Sequence, residues 1–121
     1  MRQYFVDRAI VEAKKSEFKQ RHGCIIFKGN RIISTGHNEI RHCNKLESRY
    51  TRWKNSLHAE SRTILFCEVN LLRCSILVVR LNHKGNLVNS KPCQFCLELI
   101  QDVGIKNIYY SDYSGNIIKG E

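Results

Sequence analysis

The sequence predicts an α/β domain with three helices and about five strands, in the order α-β-β-α-β-α-β-β. Two observations favour this fold class. Segments with helical spacing of apolar residues alternate with short β-rich runs, and Gly-containing turns separate them. No repeat, low-complexity tract or linker divides the 121 residues, so we expect a single domain over residues 1–121.

The composition is typical of a globular protein. Hydrophobic residues make up 42% of the chain and charged residues 26%, which excludes disorder, collagen and coiled coil. A chain of this length folds without disulfides, so its six cysteines are available for other chemistry. No apolar run approaches the roughly 18 residues of a membrane span, and the N-terminus lacks the apolar core of a signal peptide. We therefore expect an intracellular, cytoplasmic protein with no membrane partner.

The first three elements are a helix and a hairpin. Residues 2–20 contain no Gly or Pro and space their apolar side chains by three to five positions, which predicts an amphipathic helix that includes Phe18. Residues 24–27 and 31–35 are β-rich and flank a Gly29-Asn30 turn, which is typical of a β-hairpin.

A long basic loop is predicted next, over residues 36–57. Its Tyr50 and Trp53 lie among several Lys and Arg side chains, where they either stack on a base or, more simply, pin the loop to the domain. The formal net charge of the chain is +9. This charge favours phosphate or nucleic-acid partners, although basic surfaces also serve solubility alone.

The second half alternates helices and strands. Residues 58–69 predict a helix, and residues 74–79 form a near-continuous apolar run that indicates a strand buried on both faces. Residues 81–91 indicate a polar loop. Residues 92–103 predict the third helix, which Gly104 is well suited to end.

The chain closes on two short strands. Residues 106–110 predict a strand, and the turn at residues 111–115 leads into residues 116–118. A parallel return needs a dozen or more residues of crossover. We therefore expect the last two strands to form an antiparallel hairpin.

Two motifs open the second and third predicted helices. His58-Ala59-Glu60 begins one, and Pro92 with Cys93 and Cys96 begins the other. Residues three apart in a first helical turn share a face, and a helix N-terminus favours the thiolate that binds metal. One imidazole and two thiolates match a zinc site with an open fourth position, which is the catalytic type. A nearby carboxylate such as that of Glu60 can take a proton from zinc-activated water.

Taken together, H-x-E followed by P-C-x-x-C resembles the zinc signature of the cytidine and deoxycytidylate deaminase superfamily. The element order is similar to that family's core over nearly the whole chain. The resemblance implies a cytidine-deaminase-like three-layer α/β/α sandwich with a mixed sheet. It also implies one zinc ion per chain, bound by His58, Cys93 and Cys96, with Glu60 as the catalytic proton shuttle.

The resemblance further implies hydrolysis of the amino group at C4 of cytosine or C6 of adenine, with release of ammonia. The favoured substrate is a cytosine nucleoside or nucleotide: cytidine, deoxycytidine or deoxycytidylate. The family also forms dimers or tetramers, so we expect a homo-oligomer. The predicted substrate contacts are Asn38 for the sugar, Ala59 for the base, Pro92, and in the basic loop Arg49, Tyr50, Arg52 and Trp53.

The sequence features that bear on the class of substrate disagree. The short final turn is similar to free-nucleoside members, whereas His58 and the basic loop are more similar to nucleotide and polynucleotide members. One alternative is therefore a deaminase of cytosine or adenine in single-stranded nucleic acid or tRNA.

An alternative outside enzymes is a nucleic-acid-binding module whose zinc is structural, with a fourth ligand from Cys67, Cys74, His42 or Cys43. In the simplest interpretation, the cysteines in or beside apolar runs are core thiols. The remaining histidines are then surface or capping residues. The residues in these two groups are Cys24, Cys67, Cys74, His22, His37, His42 and His83.

Overall fold

A computed structural model of the chain describes residues 1–39 and 58–120, and within them it contains three helices and six strands. In chain order the elements are α1 (Gln3–Ala13), β1 (Arg21–Lys28), β2 (Arg31–His37), α2 (Ala59–Leu65), β3 (Ser75–Leu81), β4 (Leu87–Val88), α3 (Gln94–Asp102), β5 (Asn107–Ser111) and β6 (Ile117–Gly120).

The strands form one mixed sheet. Its order is β2-β1-β3-β5-β6, and β4 pairs with the end of β3. β3 and β5 run parallel, while the other described pairs are antiparallel. The predicted α/β class with a mixed sheet is confirmed, as is the antiparallel hairpin at the chain end.

Helices cover both faces of the sheet. α1 packs on one face, and α2 and α3 pack on the other, which gives the predicted three layers. β3 contributes Leu77 and Val79 to the α1 face and Ile76 and Val78 to the opposite face, and all four side chains are fully buried. Burial of each such side chain stabilises the fold by about 1.5–3 kcal/mol, so β3 is the centre of both cores, as its apolar run predicts.

The first helix is shorter than predicted. α1 ends at Ala13 rather than continuing to residue 20, because the chain then turns and the Ser16 hydroxyl accepts a hydrogen bond from the Phe18 N–H at 3.3 Å. β1 begins earlier than predicted, at Arg21. It passes so close to α1 that a Cβ at Gly23 would collide with the backbone of Ala9 and Ala13.

Other boundaries also differ from the prediction. α2 ends at Leu65 and not at residue 69. The predicted polar loop at 81–91 contains β4, which makes six strands rather than about five. Asn82 organises this turn, because its Oδ1 accepts hydrogen bonds from the N–H groups of Lys84 and Asn86.

The predicted basic loop lies mostly outside the described residues. Residues 36 and 37 belong to β2, so the loop begins later than predicted. Residues 40–57 are not among those described, and they include the predicted contacts Arg49, Tyr50, Arg52 and Trp53. Across the ranges 1–39 and 58–120, none of the helices combines the length and the apolar character needed to cross a bilayer.

Candidate functional site

The starts of α2 and α3 place the predicted metal ligands together. His58 is the N-cap residue of α2 and Cys93 is the N-cap residue of α3, and both have extended backbone. Neither side chain caps its own helix. The helices begin instead because the carbonyl of His58 accepts the Arg62 N–H and the carbonyl of Cys93 accepts the Leu97 N–H. The imidazole and the thiol are thereby left to face each other.

The distances within this group fit a tetrahedral zinc ion. His58 Nδ1 lies 3.8 Å from Cys93 Sγ and 3.6 Å from Cys96 Sγ, and the three ligand atoms all lie within 4.8 Å of one another. Zinc bonds of about 2.0 Å to nitrogen and about 2.3 Å to sulfur, opened at the tetrahedral angle, separate the ligand atoms by about 3.6 Å. The group can therefore hold zinc with little movement.

The two cysteine side chains shift the pKa of each other in opposite directions. The Cys96 thiol donates a hydrogen bond that, together with the contact to His58, lowers the pKa of Cys93 to about 4 against the opposing effect of burial. The same hydrogen bond and burial raise the pKa of Cys96. The interaction therefore favours the thiolate at Cys93, which is the form of cysteine that binds a metal.

Glu60 lies in the first turn of α2 and is only 3% exposed. Burial raises the pKa of its carboxyl group, while the charge of His58 opposes the shift. Glu12, the other buried carboxylate among the described residues, instead forms ion pairs with Arg8 and Lys15 at 3.3 and 2.7 Å. Glu60 is therefore the buried carboxyl group suited to exchange protons with a ligand.

A cavity of about 540 Å³ adjoins the group, within the range typical of small-molecule sites. His58, Glu60 and Cys93 line it beside the candidate metal site. Two exposed lysines, Lys19 and Lys91, also line it. The cavity therefore joins the candidate metal site to a positively charged outer edge.

The predicted substrate contacts differ in their relation to this cavity. Asn38 and Ala59 line it, whereas Pro92 is buried and is not among its lining residues. The amide of Asn38 also secures the start of β1. Its Oδ1 accepts the His22 N–H at 2.9 Å, and its Nδ2 donates to the Gln20 carbonyl at 2.8 Å.

Sequence reasoning missed His22, which was predicted to be a surface or capping residue and instead lines the cavity. Burial, aided by the nearby charges of Arg80 and His58, lowers the pKa of His22 to about 4. The alternation of side-chain directions along β1 could have indicated this position. Cys24 and Ile26 face α2 and α3, so a strand that started three residues earlier would have placed His22 on the same face.

The described cysteines outside the candidate metal site do not supply a fourth ligand. Within residues 1–39 and 58–120, the one group that can hold a metal contains His58, Cys93 and Cys96. Cys74 packs in the core, and the Cys67 thiol lies 3.8 Å from the carbonyl of Val69. The other predicted sources of a fourth ligand, His42 and Cys43, lie outside the described residues.

Comparisons with known proteins found a matching family model and similar proteins. A family model described as the cytidine and deoxycytidylate deaminase zinc-binding region matches residues 1–112. An uncharacterized deaminase in the luxG 3′ region of Aliivibrio fischeri is 32% identical over 91 residues, which cover 72% of this chain and 55% of that protein. A deoxycytidylate deaminase from Schizosaccharomyces pombe is 29% identical over 116 residues, covering 88% of this chain and 35% of that protein. The chain thus spans only part of the length of these relatives.

Solved structures share the fold. The dCMP deaminase from cyanophage S-TIM5 in its apo form superposes with a TM-score of 0.69 at 18% identity, covering 93% of this chain and 82% of that one. The same enzyme in complex with dCMP and dUMP gives a TM-score of 0.67 at 16% identity, covering 92% and 80%. A deaminase/reductase from Thermotoga maritima, named for diaminohydroxyphosphoribosylaminopyrimidine, gives 0.59 at 21% identity and covers 91% and 29%.

Proposed function

This chain belongs to the cytidine and deoxycytidylate deaminase family, and from that premise we propose that it is a zinc-dependent deaminase of a cytosine nucleotide. The reaction replaces the amino group at C4 of cytosine with oxygen from water and releases ammonia. The observation that carries the proposal is the buried carboxyl group of Glu60, which lines a cavity beside a His-Cys-Cys group of zinc-binding geometry.

In this proposal His58 Nδ1, Cys93 Sγ and Cys96 Sγ hold one zinc ion. When bound, zinc supplies a water molecule whose pKa is lowered towards about 7. Three protein ligands leave the fourth position for that water. Since His58 and Cys93 line the cavity, a metal ion held by this group would be accessible to a substrate in the cavity.

Glu60 moves the protons. Its carboxylate accepts a proton from the attacking water and delivers it to the ring nitrogen. It then accepts the second proton of the same oxygen and delivers it to the amino group, which leaves as ammonia. Burial raises the pKa of this carboxyl group, which makes it a better base in the first step. Asn38 and Ala59 line the cavity and are proposed to contact the sugar and the base.

The charges around the cavity favour a nucleotide over a nucleoside. Lys19 and Lys91 are cationic and exposed, and Glu60 is the only carboxylate among the described lining residues. Because burial keeps His22 neutral at pH 7, the two lysines supply the positive charge. A substrate phosphate at this edge would neutralise them.

Two further predictions complete the proposal. Action on single-stranded nucleic acid or tRNA remains the alternative. The net charge of +9 supports it, and it predicts steeply salt-dependent binding.

Assembly into a dimer or tetramer is proposed from the resemblance to the family. Gel filtration with light scattering tests the assembly state.

The test is ammonia release by zinc-loaded protein from cytidine, deoxycytidine, deoxycytidylate and a cytosine-containing single strand. We expect deoxycytidylate to be the best substrate, and Glu60→Gln to reduce turnover by at least about 100-fold while one zinc per chain is retained. Glu17→Gln, which changes an exposed carboxylate on the segment after α1, is the matched control. Undiminished turnover in Glu60→Gln would exclude the proposed role of Glu60, and silence across the whole panel would exclude the cytosine deaminase.

A further inference from the structure

Ser61 and Cys96 bring a hydroxyl and a thiol together on the buried side of the candidate metal site. Ser61 Oγ lies 3.8 Å from Cys96 Sγ, and neither residue has any exposed surface. Ser61 follows Glu60 in the first turn of α2. Within the described part of the chain, Cys96 is the hydrogen-bond partner of this hydroxyl.

The environments of the two cysteines differ. Cys93 is half-buried and lines the cavity, whereas Cys96 is fully buried. A buried anionic sulfur needs a hydrogen-bond donor from the protein, because water does not reach it. Ser61 supplies a hydroxyl at this position.

The direction of the hydrogen bond follows from the chemistry of the ligand. A cysteine binds zinc as a thiolate and has no proton to donate. The Ser61 O–H therefore donates and the Cys96 sulfur accepts. A donor on a ligand sulfur draws electron density from it, so the metal receives less charge from that sulfur and stays a stronger Lewis acid.

We propose that Ser61 is a positioning residue for the zinc site, whose hydroxyl donates a hydrogen bond to the Cys96 thiolate, fixes its orientation and limits its charge donation to the metal. The proposal rests on the proposed function for the identity of the metal ligands. It does not depend on the substrate.

Cobalt(II) substitution measures this effect directly. The energy of the sulfur-to-cobalt charge-transfer band falls when a thiolate loses a hydrogen bond, because its lone-pair electrons are then held less tightly. We expect Ser61→Ala to shift this band to longer wavelength and to weaken zinc binding about tenfold in competition with a chromophoric chelator. Ser61→Thr, which keeps the hydroxyl, should retain the wild-type band.

Ser34→Ala is the matched control. The Ser34 hydroxyl donates to the Thr63 carbonyl on the same helix at 2.9 Å, so this change perturbs α2 without touching a ligand sulfur. We expect its cobalt band to match that of the wild type.

The possible outcomes are distinct. An unshifted band in Ser61→Ala overturns the proposal even if zinc affinity falls, and so does an equal shift in Ser34→Ala. If Ser61→Ala does not fold, Ser61→Gly, which also removes the hydroxyl, decides: a shift to longer wavelength supports the proposal and the wild-type wavelength overturns it. A shifted band together with no ammonia from any cytosine substrate would reject the deaminase function and leave the Ser61 hydrogen bond standing.

Discussion

Lys19 and Lys91 give the cavity its positive edge, and the proposed recognition of a substrate phosphate depends on these two side chains. Replacing either lysine with Gln removes one cation while keeping a polar side chain. We expect each change to raise KM for deoxycytidylate about tenfold, equivalent to about 1.4 kcal/mol of binding free energy. KM for deoxycytidine, which has no phosphate, should stay constant. Steady-state ammonia release with both substrates gives the comparison.

Lys84→Gln is the control for these variants, because Lys84 is exposed and is not among the cavity-lining residues. Equal effects on deoxycytidylate and deoxycytidine would show that the lysines act on the cavity in general. In that case the preference for a nucleotide would lose its structural basis.

The same residue scale shows which parts of the site the sequence could predict. Cys93 and Cys96 were predictable because helical spacing places residues three apart on one face, and His58 and Glu60 because a local motif contains both. Lys19 and Lys91 were not predictable as cavity residues. The position of Lys19 depends on where α1 ends and how the chain then enters β1, and the position of Lys91 depends on the path of the segment between β4 and α3. Tertiary packing sets both.

Elements were predictable where the local pattern and the tertiary structure agree. The apolar run of β3 and the turn residue Gly104, which has a φ of 81°, are clear examples. β4 could not be predicted, because a two-residue strand has no periodicity of its own and forms only by pairing with Arg80 and Leu81. The predicted end of α1 was wrong for a related reason. Residues 14–20 have a composition typical of a helix, but tertiary packing places them in a turn.

Ser90, in the segment between β4 and α3, links this segment to β3 and β5 near the site. Its hydroxyl donates to the Val78 carbonyl in β3 or to the Ser111 hydroxyl in β5, both at 2.7 Å, and accepts the Ser111 N–H at 2.8 Å. This arrangement anchors the segment that leads through Pro92 into Cys93. Ser90→Ala leaves a buried N–H without this acceptor, so we expect a loss of about 1–3 kcal/mol in the free energy of unfolding, measured by urea denaturation.

Ser114→Ala is the corresponding control, since Ser114 is exposed in the turn between β5 and β6. A surface change of this kind should alter the free energy of unfolding by less than about 0.5 kcal/mol. Equal stability of the two variants would mean that Ser90 does not anchor the segment before Cys93.

At the scale of the whole molecule, the sheet brings together two helix starts that are distant in sequence. His58 and Cys93 are 35 residues apart, and they meet because α2 and α3 pack on the same face of the sheet. That pairing could be inferred only from the family resemblance, since no local pattern sets the relative position of two helices. The same face carries His22, so the cavity and this partly buried histidine arise from one packing arrangement.

His22 should make the stability of the whole protein depend on pH. The pKa of His22 is about 4 in the folded protein, against 6.5 for an unperturbed histidine. Between these two pH values the imidazole is protonated in the unfolded chain and neutral in the folded protein. The free energy of unfolding should therefore fall as the pH decreases from 6.5 towards 4, by about 2 kcal/mol between pH 7 and pH 5 from this residue alone.

His22→Gln should lose that part of the pH dependence, whereas His83→Gln at an exposed position should keep it. Urea denaturation at both pH values, with a chelator present so that zinc release adds nothing, measures the difference, and identical pH dependence in wild type and His22→Gln would contradict the assignment.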